Sequence, residues 1–348
     1  MTMENFYYCP VCRGKLASRR SDYLCHECKK EFPVENGVPD FRETDTYWGI
    51  IDRKVMRQIL EYARTKGWQE ALEVILGKER PSYCEYIMDS SRSYWNLLMP
   101  LAKESTVLDI GCGWGSLSFP LSKQYKTLFA LDSTKEKVQL INLRCQQSGT
   151  KNIIPVCADA LKLPFADDYF DLIVVYGVLE WMGLADEQEK PEFSQSKSLR
   201  EIHRVLKKDG LLFLSIENRW AITNIMGFRD PHTNLRFVTL LPRVLADVYS
   251  GIARGQPYRA YTHSLRTYKG MFTEAGFSEI DTYSPLPSYR NFWYVLPLEN
   301  RNVMKYFLDH LASSVTPLST HLLNIARLSR LYNLIKYVVP DYSFVVKK

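Results

Sequence analysis

No stretch of the 348-residue chain approaches the roughly 20 consecutive apolar residues that a bilayer-spanning helix needs. The opening MTMENFYYCPVC lacks the charged and apolar regions of a secretory leader, so the sequence predicts a cytoplasmic protein. Charge of one sign is also scarce. The formal charge is +6, and nearly all the excess falls in residues 301–348, where seven basic residues meet two acids. The rest is close to neutral, which counts against a broad basic face for nucleic acid. Nor is there a shortage of core material: 46% of the residues are hydrophobic, enough for one large domain with additions or for two domains. Disorder is therefore not expected.

Eight cysteines are present, and four of them stand as two tight pairs. Cys9, Cys12, Cys25 and Cys28 form C-x2-C, a twelve-residue spacer and C-x2-C, the spacing of a four-thiolate zinc site built from two turns. In a reducing compartment such pairs hold metal rather than disulfides. One Zn2+ there would staple a segment too short to bury a core of its own. The expectation is a zinc ribbon over residues 1–44, largely independent of the cofactor domain, then a helical cap or linker over 45–100. Within that cap, RKVMRQILEYARTKGWQEALEVIL spaces its apolar residues by three and four, and DSSRSYWNLLMPLA reads as a helix capped by Asp89 or Ser90.

Residues 107–116, VLDIGCGWGS, join a short apolar run, an acid and three alternating glycines. The run reads as a buried strand, and the glycines let its exit loop turn sharply against a ligand. A second apolar run, TLFALD, ends in Asp132, 21 residues after Gly111. A strand, glycine turn, helix and second strand put that acid where a carboxylate can accept both hydroxyls of a ribose. Asp109, just before the glycines, would repel the phosphates of a dinucleotide and would suit an ammonium group.

With these motifs, residues 101–277 resemble a class I S-adenosylmethionine-dependent methyltransferase. VLDIGCGWG resembles the first motif of that family and LFALD its ribose acid. VCADALKLPFADDYFDLIVVYGVLEWM and LREIHRVLKKDGLLFLSIEN resemble its later segments. The resemblance implies a Rossmann-like α/β sheet over residues 101–348 with insertions at about 218–262 and 285–340. It places S-adenosylmethionine contacts at Asp109, Gly111, Cys112, Gly113, Asp132, Ser133, Asp159, Ala160 and Tyr176. In particular, Asp159 should accept from the adenine amino group, and Tyr176 with Gly177 should lie under the methyl donor. Two departures stand out. The family's glycine turn before the fifth strand is Lys208-Asp209-Gly210, and its frequent Glu-His after the fourth strand is Glu180-Trp181. The ribbon's tail, KKEFPVENGVPDF, resembles modules that precede some methyltransferases.

The first insertion mixes Arg219, Arg229, Arg236, Arg254 and Arg259 with aromatics, a combination suited to a phosphorylated or sugar-bearing acceptor. It also carries His232 and His263, either of which could take a proton from an acceptor; His263 borders the following helix. The tail segment 321–339 spaces its apolar residues by three and four with basic residues off the seam. That is the pattern of a helix lying on an anionic membrane, or of one packed on the domain with a solvated basic side. Three function classes remain open. The first is methyl transfer to a small or lipid-linked acceptor, in keeping with a weaker resemblance to methyltransferases of surface-glycoconjugate pathways. The second is an RNA methyltransferase that holds the strand with its ribbon, and the third a non-catalytic interaction protein.

Overall fold

The computed structural model describes residues 6–19, 21–45, 47, 49–182, 184, 189–311 and 332–348. The chain divides into two compact units, one of residues 1–175 and 200–211 and the other of residues 176–199 and 212–348. The boundaries expected near 44 and 100 do not separate compact bodies, because ribbon, cap and glycine loop all belong to the first unit.

That unit opens with a small antiparallel sheet, β1 (Leu16–Ser18), β2 (Asp22–Cys25), β3 (Glu31–Glu35) and β4 (Val38–Pro39). Helices α1 (Arg53–Lys66), α2 (Trp68–Ile75) and α3 (Pro81–Met88) follow. Their apolar faces close a core of Met56, Ile59, Leu60, Leu72 and Ile87 around Trp114 and Leu140. At the start of the segment after α3 the Asp89 carboxylate accepts from the Ser91 amide at 2.8 Å, while Ser90, in the cap position itself, makes no side-chain cap bond. The segment winds as a 3-10 helix over Ser91–Leu98 instead of an α-helix.

The larger sheet of this unit is parallel. β5 (Thr106–Ile110) pairs with β6 (Thr127–Asp132) on one side and β8 (Phe170–Tyr176) on the other, and β6 pairs with β7 (Ile153–Cys157). Near-continuous burial along these strands matches their largely apolar sequences. Helices α4 (Ser118–Ser122) and α5 (Lys135–Ser148) make the crossovers. The chain leaves β5 outward to β6 and β7, then resumes on β5's other flank, so the carboxyl end of β5 is a topological switch point.

The ribbon is not independent of this sheet. Phe6 meets Phe129 edge-on at 5.1 Å, the Tyr8 amide donates to Pro164 O, and Arg13 binds Glu201 at 2.9 Å. Past β4 the chain runs alongside β7, where the Phe41 amide donates to Cys157 O at 2.8 Å.

The second unit contains the end of β8 and the start of α6 (Pro191–Val205), then, after the chain's return to the first unit, the later part of β9 (Leu206–Glu217). Lys208-Asp209-Gly210 lies inside β9 as one continuous strand, with Asp209 at φ 63°. The insertion carries α7 (Ile222–Ile225) and α8 (Arg243–Arg254), and Ala246 of α8 joins Val238, Tyr258 and Tyr261 in a small core. Then come α9 (Leu265–Glu274), β10 (Glu279–Leu286), β11 (Tyr294–Pro297), α10 (Arg301–Tyr306), α11 (Tyr332–Ile335) and β12 (Asp341–Lys347). β12 and β11 both run antiparallel to β10, in the order β11-β10-β12-β9. Most of the amphipathic segment 321–339, residues 321–331, lies outside the described residues. No helix among the described residues is long and apolar enough to cross a membrane.

Candidate functional site

The four ribbon cysteines converge as their spacing predicts. All four sulfurs lie within 4.8 Å of one another, with Cys9 Sγ 3.6 Å from Cys28 Sγ and Cys12 Sγ 3.4 Å from Cys25 Sγ. The two turns repeat one backbone pattern. Cys9 donates to Gly14 O and accepts from the Arg13 amide; Cys25 donates to Lys30 O and accepts from the Lys29 amide. Arg13 and Lys29 share a positive φ, 67° and 62°. Burial raises the Cys9 thiol to about 12, against hydrogen bonds from the Cys12 and Val11 amides. Soft sulfurs pre-set on two matching turns, with amides aimed at them, fit a zinc ion.

The glycine loop sits at the switch point. Gly111 and Cys112 both donate their amides to Leu131 O, which draws the loop across the end of β6. Gly113 takes φ 55°, a left-handed conformation that side chains rarely adopt. A Cβ there would meet nothing nearer than Gly111 O at 3.8 Å, so the protein itself leaves the space beside the loop open. Asp132 ends β6 with one carboxylate oxygen on the Gly113 amide (3.1 Å) and the other on the Thr134 amide (2.8 Å). The acid is thereby fixed in one rotamer with lone pairs left over for hydroxyls. Asp109 is buried and accepts from Ser118 Oγ at 2.6 Å. Burial raises its carboxyl to about 7, with the Ser118 bond opposing and the charge of Asp132 adding to the rise.

Ser133 holds the ribbon's Arg42, whose guanidinium donates to Ser133 O at 3.0 Å and to Asp40 at 2.7 Å. Asp159 is exposed, with Oδ1 on the Leu161 amide, and Ala160 follows it on the same loop. Eight of the nine expected cofactor residues therefore belong to the first unit. Its open glycine backbone and oriented acid fit the uncharged ribose and cationic amino acid end of S-adenosylmethionine, and nothing about Asp109 favours a phosphate.

Tyr176, the ninth, belongs to the second unit. It is buried, donates its hydroxyl to Tyr289 O and stands edge-on to the Tyr289 ring at 5.2 Å. Gly177 beside it has φ 65°, and a Cβ there would lie 2.7 Å from Tyr289 Oη, so only glycine admits this approach.

The two histidines have different surroundings. His263 is buried with Nε2 2.7 Å from Gln195 Oε1, and Gln195 also donates to Leu179 O and Tyr261 O. Burial lowers its imidazole to about 3, helped by Arg243 and Arg219, so the ring stays neutral and ties α6 to the insertion. This geometry gives His263 a structural place and does not favour the role of proton acceptor.

His232 instead stands among acids. It lies on a tight turn in which Asp230 accepts from Thr233 N and Oγ1 and Asn234 N donates to Asp230 O. Asp230 Oδ1 faces His232 Nδ1 at 3.3 Å, and Nε2 lies 3.8 Å from both Glu180 Oε1 and Glu217 Oε1. Burial would lower the imidazole, but Glu217, Asp230 and Glu180 outweigh it and raise it to about 10. Burial, then repulsion from Glu217, raises the Glu180 carboxyl. The Trp181 ring is edge-on to His232 at 4.6 Å. Where the resembled family often has a histidine, this chain has Trp181, and the insertion brings a histidine to that tryptophan.

No sequence motif joins Glu180 to Glu217, although each is a lone acid in an otherwise apolar run at a strand end. Glu217 accepts from Tyr289 Oη and from Arg290, each at 2.9 Å, and Asp341 accepts from the Tyr289 amide at 2.9 Å. Glu217, Asp230, Arg229, Arg290, Ser288 and Asp341 help line a cleft of about 260 Å³ within the second unit. Three of the insertion's arginines hold backbone carbonyls: Arg219 those of Thr239 and Leu241, Arg236 that of Gly227, and Arg259 that of Glu189 outside the insertion.

Comparison with known proteins points to methyl transfer. Residues 108–214 match the family described as "Methyltransferase domain". The chain is 30% identical over 128 residues to an uncharacterized protein of Methanocaldococcus jannaschii, MJ0638, covering 37% of this chain and 48% of that one. It is 34% identical over 112 residues to the uncharacterized methyltransferase YcgJ of Bacillus subtilis, covering 32% of this chain and 40% of that protein. A ubiquinone/menaquinone biosynthesis C-methyltransferase, UbiE of Pectobacterium atrosepticum, is 28% identical over 193 residues, covering 52% of this chain and 70% of the relative. The chain thus spans about half or less of the length of the first two relatives. The solved structure of B. subtilis YcgJ aligns at 18% identity with a TM-score of 0.40, over 74% of this chain and 95% of that one. With the glycine loop at the switch point and the oriented acid on the next strand, residues 108–214 are a class I S-adenosylmethionine-dependent methyltransferase domain.

Proposed function

We propose that the chain transfers the methyl group of S-adenosylmethionine to a small, polar acceptor held in the second unit's cleft. The observation that carries this reading is the buried set of Glu180, Glu217 and His232, with Glu217 in the cleft wall. Such a set is costly to bury and is found where chemistry needs it. A cleft of about 260 Å³ suits one ring-sized group. The name of the UbiE relative, a C-methyltransferase of quinone biosynthesis, supports a small-molecule acceptor.

In this reading S-adenosylmethionine supplies an electrophilic methyl group, and Asp132, Gly113 and the neighbouring loop hold it. The ribose acid contributes orientation, since an in-line attack gains most from a fixed donor. Asp109 answers the cofactor's ammonium. Glu217 lies in the cleft wall and its Oε2 has no hydrogen-bond partner, so it is the carboxylate placed to take a proton that leaves the acceptor. A zinc ion in the ribbon would be structural, held by Cys9, Cys12, Cys25 and Cys28. Surface-glycoconjugate or lipid-linked acceptors fit the same chemistry if their reacting group is polar and narrow. RNA is the weaker reading, because outside the tail the chain has no excess of basic charge.

Two measurements test the proposal. Calorimetry should show S-adenosylmethionine binding that Asp132→Ala weakens at least tenfold, since the lost hydrogen bonds are worth about 1–3 kcal/mol. Wild-type affinity in that variant would remove the cofactor assignment. Mass analysis of metabolites, lipids and RNA from cells with and without the gene should then find a methyl group missing from a small molecule. Loss confined to RNA would overturn the acceptor class.

A further inference from the structure

The geometry points to a second metal site, in the second unit, where Glu180, Glu217 and His232 bind one divalent cation of the hard or borderline kind. The three residues come from different segments: Glu180 from the 3-10 turn Leu179–Trp181, Glu217 from the end of β9, and His232 from the insertion's 230–234 turn. One ligand atom from each lies within 4.8 Å of the others. The Glu180 side chain is fully buried and His232's is 1% exposed, yet both Glu180 oxygens, Glu217 Oε2 and His232 Nε2 have no hydrogen-bond partner. Four buried polar atoms without a hydrogen-bond partner, on three side chains whose ligand atoms converge, are a costly arrangement unless something binds there.

The distances favour an ion over direct contact. A hydrogen bond from Nε2 to a carboxylate would close to about 2.7–2.9 Å. Nε2 stands instead 3.8 Å from each of two carboxylates and is bonded to neither. Two ligands on one ion at about 2.1 Å each subtend about 130° at that separation, and closing it by roughly 0.4 Å gives a tetrahedral angle. Rotation of the glutamate side chains covers such a change. The outer shell is also in place. Asp230 on Nδ1 fixes the ring with Nε2 toward the site, as carboxylates do behind metal-bound histidines. Tyr289 and Arg290 orient Glu217 by holding Oε1, the oxygen 3.8 Å from Nε2. Two buried carboxylates and one imidazole then meet a +2 charge, and the ion takes the place of a proton on Nε2.

One imidazole with carboxylates suits manganese, magnesium, iron(II) or zinc, whereas the four thiolates of the ribbon select zinc. The two sites thus differ in chemistry and can be probed apart. Three protein ligands leave coordination positions for an acceptor oxygen. That role rests on the transfer reading above, but metal binding itself does not, so the two can fail separately.

The experiment titrates the full chain with Mn2+ alone and follows the paramagnetic resonance signal of the free ion. One equivalent should bind with submillimolar affinity. Glu180→Gln, Glu217→Gln and His232→Gln should each weaken it at least tenfold while keeping the thermal shift produced by S-adenosylmethionine, which reports an intact first unit. Cys9→Ser should leave Mn2+ binding unchanged. Trp181, edge-on to His232, gives a measurement that needs no ligand variant: Mn2+ should quench tryptophan fluorescence in the wild type and quench it less in Trp181→Phe. No Mn2+ uptake by the wild type, or uptake indifferent to all three ligand substitutions, overturns the site and leaves a proton on His232 to hold the carboxylates.

Discussion

Asp109 shows how much one buried acid can carry. Its carboxyl is raised to about 7, first by burial, so between its ordinary value near 3.8 and 7 the folded protein holds a proton that the unfolded chain has lost. Where the native state binds more protons, stability falls as pH rises. The loss should therefore run from about pH 4 to pH 7 and level off above that. Replacing Asp109 by Asn keeps an acceptor for Ser118 Oγ and removes the titration. Compared with wild type, Asp109→Asn should be more stable at pH 8 by up to a few kcal/mol and no more stable at pH 4, as read from denaturant unfolding at both pH values. The same substitution should weaken S-adenosylmethionine binding, because the carboxylate is proposed to face an ammonium. If the variant gained stability and also kept full affinity, the ammonium contact would be wrong. Asp109 and Asp132 were legible in the sequence because each is an acid at the tip of a short apolar run, beside glycines whose spacing limits what can bind. His232 and His263 could not be ranked that way. Both are single histidines in a polar loop, and only the fold shows Gln195 at one ring and three carboxylates at the other.

At the scale of elements, the ribbon is joined to the parallel sheet of its unit more closely than its spacing implied. The two cysteine turns could be read directly because ligand pairs on tight turns are local. Their docking could not, since it depends on Phe6, Tyr7 and Arg13 meeting residues up to 188 positions away. After β4, residues 40–42 run beside β7, and Arg42 reaches Ser133 O next to Asp132. Removing the metal should loosen this contact as well as the turns. We expect one zinc per chain by elemental analysis and less than half of it in Cys9→Ser. That variant should also bind S-adenosylmethionine several-fold more weakly. Arg42→Ala should reproduce the weaker binding while retaining its zinc, which separates the contact from the metal. Full affinity in the zinc-depleted protein would restore the ribbon as an independent module. The insertion was legible as an addition to the sheet but not in its detail. Its arginines stood in the sequence as ligands for phosphate, whereas in the fold Arg219 and Arg236 satisfy carbonyls within a long loop that has few strands to pair with, and Arg259 satisfies Glu189 O outside it.

For the whole molecule, the division into two units also divides the chemistry. Asp109, Gly113, Asp132 and Asp159 belong to the unit of residues 1–175 and 200–211, and Glu180, Glu217, His232 and Tyr289 to the other. Sequence spacing announced the first group because its members follow one another along a single strand-loop-strand path. The second group is assembled from segments up to 109 residues apart, between Glu180 and Tyr289, and no local pattern marks it. If the first group binds the donor and the second serves the acceptor, their substitutions should separate in kind. Asp132→Ala should abolish most of the thermal shift caused by S-adenosylmethionine. Glu217→Gln should retain that shift while losing at least a hundredfold in methyl transfer, the usual scale for a positioned proton acceptor. The loss should fall on kcat, with the KM for S-adenosylmethionine nearly unchanged, because a group that acts only in the transition state does not alter donor affinity. A Glu217→Gln enzyme with normal turnover would take the carboxylate out of the reaction. One that lost donor binding as well would show that the two groups act as a single site.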